Sequence, residues 1–314
     1  MAVTDARSAP ARAAPGGREP SRGGVRRGGL LTPYLFLLPY LVLFVGFVLI
    51  PGVFGFWVSL HDYNYLLPGK PWVGFGNYVD LFTPGSRDSG DFWRAMAATG
   101  IFTVLSVPLL LVCPLAVALL LNRTFPGRSF FRAVFFAPYV LGVAVVGVLF
   151  RFILDPNIGL VNYYLGHPFP WTTAVPWAWV SLVGMTVWWT LGFNAIIYLA
   201  GLQDIPVELY EAARVDGASR WDEFWNVTLP GLRPVLMFVL TVTILASANM
   251  FGQSYLLTHG APGTTTRTAI MLVAQTGFGS NRQGVAAAMS YILAVVLMAV
   301  SVLNIRLLQR REGS

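Results

Sequence analysis

The chain has 314 residues, of which 55% are hydrophobic and only 11% charged, with a formal net charge of +7 at pH 7. A soluble domain of this length carries about a quarter charged residues, so a water-exposed globular fold is excluded. The single cysteine, Cys113, excludes an internal disulfide and a cysteine metal cluster. The one lysine, Lys70, is followed by Pro71, which excludes a phosphate-binding loop of the G-x-x-x-x-G-K-[ST] kind.

Residues 1–30 are rich in Ala, Gly, Pro and Arg without an apolar period, and the sequence predicts a disordered tail there. A membrane domain then fills 31–310. Six windows within it hold no Asp, Glu, Lys, Arg or His: 33–59, 95–121, 133–150, 177–203, 234–258 and 284–305. Each is close to the roughly 20 residues that cross a hydrocarbon core as a helix. Runs such as Leu115 to Leu121 are apolar on every side, unlike the alternation of a membrane barrel. The expected fold is an all-α polytopic membrane protein with about six transmembrane helices. The first window is too long for a signal-peptide core, and Arg26-Arg27 before it reads as a positive flank.

Basic residues set the orientation. Of 21, 15 occupy the N-terminus, the 122–132 and 204–233 loops and the C-terminal end, so both termini are expected in the cytoplasm. That side carries +6 and the opposite side +1 once acids are counted, so the net charge reports topology and not a nucleic-acid partner. The outer loops 60–94 and 151–176 are expected to be ordered caps. Trp57, Trp93, Trp177 and Trp179 lie near window ends, where indole suits the membrane interface.

The loop 204–233 differs from the others. Pro206 fits a first helical position, Asp204, Glu208 and Glu211 suit a helix N-terminus, and Gly217 suits a stop. Trp221, Phe224, Trp225 and Thr228 recur at i, i+3, i+4 and i+7, which predicts a second amphipathic helix ended by Pro230 and Pro234. Ala212, Ala213 and Ala218 permit close backbone approach. Such a hairpin either lies on the membrane and its own bundle or docks a cytoplasmic partner, and physics alone leaves both open.

Glu211-Ala212-Ala213, Asp216-Gly217-Ala218, Phe224 and Val227-Thr228-Leu229-Pro230 together resemble the EAA loop of ATP-binding-cassette import permeases, with Val227 in place of the usual Ile. Phe136-Ala137-Pro138 to Phe152, Pro156 to Asn162, and Leu257-Thr258-His259-Gly260-Ala261-Pro262 with Thr266 are similar to stretches of the sugar permeases of the maltose and glycerol-phosphate type, although Ala261 replaces a glycine. The resemblance covers most of 31–310. It implies the transmembrane-domain fold of type I importers, located in a prokaryotic cell membrane. By it, Glu211, Ala212, Ala213, Asp216, Gly217, Ala218 and Phe224 form a coupling surface, and Leu229 and Pro230 fix its return to the membrane. It further implies two ATPase subunits that use ATP and Mg, a second homologous permease and an extracytoplasmic binding protein. The substrate it implies is a sugar, and the chain itself holds no cofactor, no metal and no nucleic acid. Import of another polar solute is the alternative.

No carboxylate or His lies inside a window, which argues against a proton relay. A membrane enzyme would have to draw on outer-loop Asp62, Asp80, Asp88, Asp91 or Asp155, or on His61 beside Asp62, each more simply a solvated charge. For a sugar path the candidates are Ser247, Asn249, Gln253 and Tyr255 in the fifth window and Trp188, Trp189, Asn194 and Tyr198 in the fourth. Asn249 and Gln253, four apart, are expected to share a helix face. Interhelical hydrogen bonding is the competing role for each of these groups.

Overall fold

A computed structural model of the protein describes residues 32–309, and the predicted tail over 1–30 lies outside them. The chain divides into two compact units at Gly52–Val53. In the first, α1 (Thr32–Phe44) passes through a π turn at Val45–Leu49 into α2 (Ile50–Ser59). The wider turn comes just before Pro51, which has no N–H to give the carbonyl four residues back.

The second unit holds the end of α2 and every later element. A capping loop with α3 (Gly76–Phe82) leads to the long α4 (Ser89–Asn122). Next come α5 (Arg128–Val140), α6 (Val143–Ile153), the short α7 (Leu160–Leu165) and α8 (Trp177–Gln203). The 204–233 segment folds as α9 (Val207–Val215), α10 (Arg220–Glu223), a π turn at Phe224–Thr228 and α11 (Leu229–Gly231). Then follow α12 (Arg233–Ala248), a π turn at Ser254–Thr258, α13 (Ala269–Ala274) with a π turn at Gln275–Gly279, and α14 (Gln283–Gln309).

Four segments are long and apolar enough to cross a bilayer: Leu35–Ser59, Ser89–Asn122, Trp177–Gln203 and Gln283–Asn304. Two bent pairs bring the count to as many as six where each is counted as one span. They are Arg128–Val140 with Val143–Ile153, bent by 95°, and Arg220–Gly231 with Arg233–Ala248, bent by 66°. This is a multi-pass membrane protein.

The structure corrects three expectations. The third window is not one helix. Pro138 removes an N–H, and Leu141 and Gly142 are extended (ψ 133° and 150°). The indole Nε1 of Trp189 donates to the Leu141 carbonyl at 2.9 Å, as membrane-depth backbone outside a helix requires. The fifth window also breaks, because α12 stops at Ala248. The Thr268 hydroxyl donates to the Met250 carbonyl at 2.7 Å there. Trp179 is buried in the core and anchors no interface, whereas Trp57, Trp93 and Trp177 are exposed. The apolar helix over Ala269–Gly279 has no counterpart in the sequence reading, since Arg267 and Arg282 bracket a run too short to span.

Packing centres on α4 and α8. Ala98 and Phe102 meet Leu182 and Met185 in one cluster, and Ala118 meets Ala195, Tyr198 and Leu202 in a second. Small residues set the approach, as is general in membranes. A Cβ on Gly192 of α8 would lie 2.1 Å from the Phe135 carbonyl oxygen, so α5 rests on α8 at backbone contact.

Candidate functional site

The 204–233 segment is a hairpin whose corner is built by backbone chemistry. Asp216 ends α9 and Gly217 follows at φ +80°. The N–H of Gly217 donates to the Arg214 carbonyl at 3.1 Å and that of Ala218 to the Ala213 carbonyl at 2.9 Å. This pair of bonds is a Schellman closure, which needs the left-handed conformation that glycine adopts without a Cβ penalty. Pro206 sits one residue earlier than expected, just before α9. The second arm starts with a capping box. Ser219 Oγ accepts from the Asp222 N–H at 3.3 Å, and the Asp222 carboxylate accepts from the Ser219 N–H at 3.0 Å.

Two side-chain links tie the arms together. The hydroxyls of Tyr210 and Thr228 are 3.0 Å apart, and Arg214 Nε donates to Glu223 Oε1 at 2.7 Å. The hydrogen bond and charge of Glu223 raise the Arg214 guanidinium pKa above its ordinary value. Ile205, Tyr210, Val227 and Leu232 seat the hairpin on the second core cluster, where Gly231 leaves room for the Ile205 side chain.

The aromatic stripe of the second arm is a correction. A π turn from Phe224 to Thr228 adds a residue to the turn, so the four positions do not form one buried face. Thr228 is buried and Phe224 half-buried, while Trp221 and Trp225 remain 67% and 49% exposed. Glu211, Ala212, Asp216 and Gly217 are exposed, and Ala213, Ala218 and Leu229 half-buried. Pro230 is exposed in α11, and the chain bends at Leu232, before Pro234. The hairpin therefore presents small and apolar groups together: the alanines and glycine of the corner, Val215 and two indoles.

A cavity of 140 Å³ lies between α4, α5, α8 and α12. Thr186, Thr190 and Asn194 recur every four residues along α8 and face it, with Ser247 and Gln253 opposite and the Tyr139 and Phe193 rings at one side. Those two rings stack at 4.5 Å. Asn194 also bonds the Leu110 carbonyl at 3.3 Å, and Ser247 the hydroxyl of Ser106 at 3.2 Å, so both have packing partners as well.

Other candidates lie apart. Asn249 is outside the helix and outside the cavity, its amide turned back to the Leu245 carbonyl at 2.8 Å, so it shares no helix face with Gln253. Tyr255 is exposed and stacks on Phe251, Trp188 is exposed beside Phe150, and Tyr198 is fully buried. The cavity's Thr186, Thr190, Tyr139 and Phe193 escaped the sequence reading. The four-residue spacing of the α8 hydroxyls was the available signal.

The model of the family "Binding-protein-dependent transport system inner membrane component" matches residues 84–312, nearly three-quarters of the sequence. The chain belongs to that family. The trehalose/maltose transport system permease protein MalF of Thermococcus litoralis is 32% identical over 277 residues, covering 87% of this chain and 92% of the relative. The arabinooligosaccharides transport system permease protein AraP of Bacillus subtilis is 33% identical over 284 residues, 88% of each. Among solved structures, a chain of a bacterial ABC transporter involved in the import of the acidic polysaccharide alginate superposes with a TM-score of 0.75. It is 26% identical, over 88% of this chain and 95% of that one.

In this permease-family chain the stretches singled out beside the hairpin are held by internal hydrogen bonds. Asn162 donates to the carbonyls of Pro156 at 2.9 Å and Phe169 at 3.1 Å and accepts from Trp171 Nε1 at 2.8 Å, stapling the 154–171 cap. The backbone N–H groups of Ile158 and Asn157 hold the Asp155 carboxyl below the usual carboxylate range. In Leu257–Thr266, Gly260 needs φ +84°, while Ala261 has no positive φ and so tolerates its side chain. The hydroxyls of Thr258 and Thr266 bond at 2.7 Å to close that loop. His61 is buried with Nδ1 2.7 Å from the Trp57 carbonyl, and Asp88 and Asp91 pair with arginines. His61, Asp88, Asp91 and Asp155 thus each have a partner within the protein.

Proposed function

We propose that this permease subunit imports a neutral sugar or oligosaccharide, delivered by an extracytoplasmic binding protein and driven by separate ATPase subunits. The hairpin corner at Gly217 carries the reading. It is a rigid, exposed knuckle with small and aromatic groups outermost, and a groove of 810 Å³ separates it from the ends of α4 and α8. Such a lever suits insertion into a cleft on a nucleotide-driven partner, with Glu211, Ala212, Ala213, Asp216, Gly217, Ala218 and Phe224 at the contact and Leu229 and Pro230 at its root. ATP and Mg belong to that partner, both termini face the cytoplasm, and a second homologous permease completes the pathway.

The substrate class rests on the cavity and on relatives named for trehalose, maltose and arabinooligosaccharides. Hydroxyls, two amides and stacked rings without a full charge suit a sugar's hydroxyls and faces. At 140 Å³ the cavity is below the roughly 300–1,000 Å³ of small-ligand pockets, so passage needs α5, α8 and α12 to part. Nucleotide at one end and loaded binding protein at the other would bias that two-state change. Reconstitution with ATPase, companion permease and binding protein tests the proposal. ATP-dependent uptake of labelled maltotriose or a related neutral saccharide is expected. Uptake without the ATPase, or a screen in which only amino acids are carried, would overturn it.

A further inference from the structure

The end of α4 opposite the hairpin carries charges that transport leaves unused. Arg282 forks onto Asp88, Nη1 to Oδ1 at 2.7 Å and Nη2 to Oδ2 at 2.6 Å. Arg94 Nη2 donates to Asp91 Oδ1 at 2.5 Å. Arg267 behaves differently. Its Nη2 pairs with Asp91 Oδ2 at 3.0 Å. The Arg267 side chain is only 15% exposed, and its buried Nε has no hydrogen-bond partner among the described residues.

These donors border a cavity of 210 Å³ whose wall also includes Arg87, Gln275, Thr276 and Ser280. Three arginines and two aspartates line it, which leaves one positive charge in surplus. Arg87 has no ion pair among the described residues. A buried guanidinium with unmet donors is costly, and it has no acceptor of its own. What Arg267 Nε lacks is an acceptor, and a negative group bearing two oxygens is the partner guanidinium binds best.

We propose that this cavity is an oxoanion site, in which a carboxylate or a small inorganic oxoanion accepts from Arg267 Nε while Arg87 supplies charge at the rim. The test uses the full chain, purified with its companion subunits in nanodiscs. Thermal unfolding is followed by tryptophan fluorescence at constant ionic strength, with chloride replaced stepwise by acetate or by sulfate. A saturable rise in midpoint is expected, about 5 °C once the anion reaches a hundred times its Kd. Arg267→Gln should abolish the response, and Arg87→Gln should raise the apparent Kd at least threefold with the fold unchanged. Saturation at lower acetate than sulfate would name a carboxylate as the occupant, and the reverse order an inorganic oxoanion. No saturable response to either anion would mean the cavity holds water only, and a response that survives both substitutions would be a general salt effect. Either outcome overturns the site. If Arg267→Gln does not fold, Arg87→Gln decides: an unchanged Kd refutes the proposal.

Discussion

Replacing Gly217 probes the hairpin with the least disturbance elsewhere. No atom lies within 4 Å of the place its Cβ would occupy, so a side chain there meets only its own backbone. At φ +80° that backbone costs an ordinary L residue about 1–2 kcal/mol, and more when the side chain is β-branched. Asn should be nearly tolerated, Ala should cost about 1 kcal/mol, and Val about 2 kcal/mol or more. The native corner must hold both bonds, Gly217 to Arg214 and Ala218 to Ala213, in order to present α9 and α10 together. A cost of about 2 kcal/mol therefore lowers the equilibrium constant for the docking-competent corner roughly thirty-fold. The assay is ATP-dependent uptake in proteoliposomes, with membrane insertion and ATPase co-purification measured in parallel. Uptake should fall in the order Gly, Asn, Ala, Val while insertion stays constant. Wild-type uptake in Gly217→Val would refute the reasoning.

Three further outcomes follow from particular contacts. Gly192→Ala drives a Cβ to 2.1 Å from the Phe135 carbonyl oxygen, so it should lose about 3 kcal/mol of stability and much of its yield in a detergent thermal-unfolding assay. Asn194→Leu and Gln253→Leu should each weaken apparent substrate affinity about tenfold, whereas Asn249→Ala, outside the cavity, should leave uptake kinetics unchanged. Equal effects at all three positions would remove the cavity from the path. Burial, with the Arg151 guanidinium facing it, holds the His259 imidazole below its ordinary 6.5. The unfolded chain then binds this proton more readily than the folded one. Stability present above pH about 6.5 is lost as the pH falls through the folded value. His259→Gln should remove that share of acid sensitivity, and melting curves at pH 7.5 and 5.0 that match wild type would contradict it.

The spans and the hairpin were readable from residues because their causes are local. Charge-free windows reflect the cost of ionised groups in lipid, and Pro206, Gly217 and the acids of α9 carry helix-end chemistry within one turn. The misses share a different cause. The break at Leu141–Gly142 depends on Trp189, 48 residues away, to satisfy a carbonyl, and the break after Ala248 depends on Thr268. A linear period gives no sign of either partner. The same holds for the α10 stripe, where a π turn shifts the register after Glu223. Asn194 and Gln253 were identified by side-chain chemistry, but only the fold shows that Asn249 turns away. The link between Asp88 and Arg282 joins residues 194 apart in sequence.

The most direct test of the account is a cross-link. Val215, 87% exposed at the hairpin corner, would be replaced by Cys in a Cys113→Ala background, and the subunit assembled with an ATPase carrying a single Cys in its cleft. The account predicts a disulfide between the two subunits whose yield changes when ATP is bound, and protection of Cys at 215 from impermeant maleimide added outside the cell. Labelling from outside, with no cross-link at any ATPase position, would contradict it.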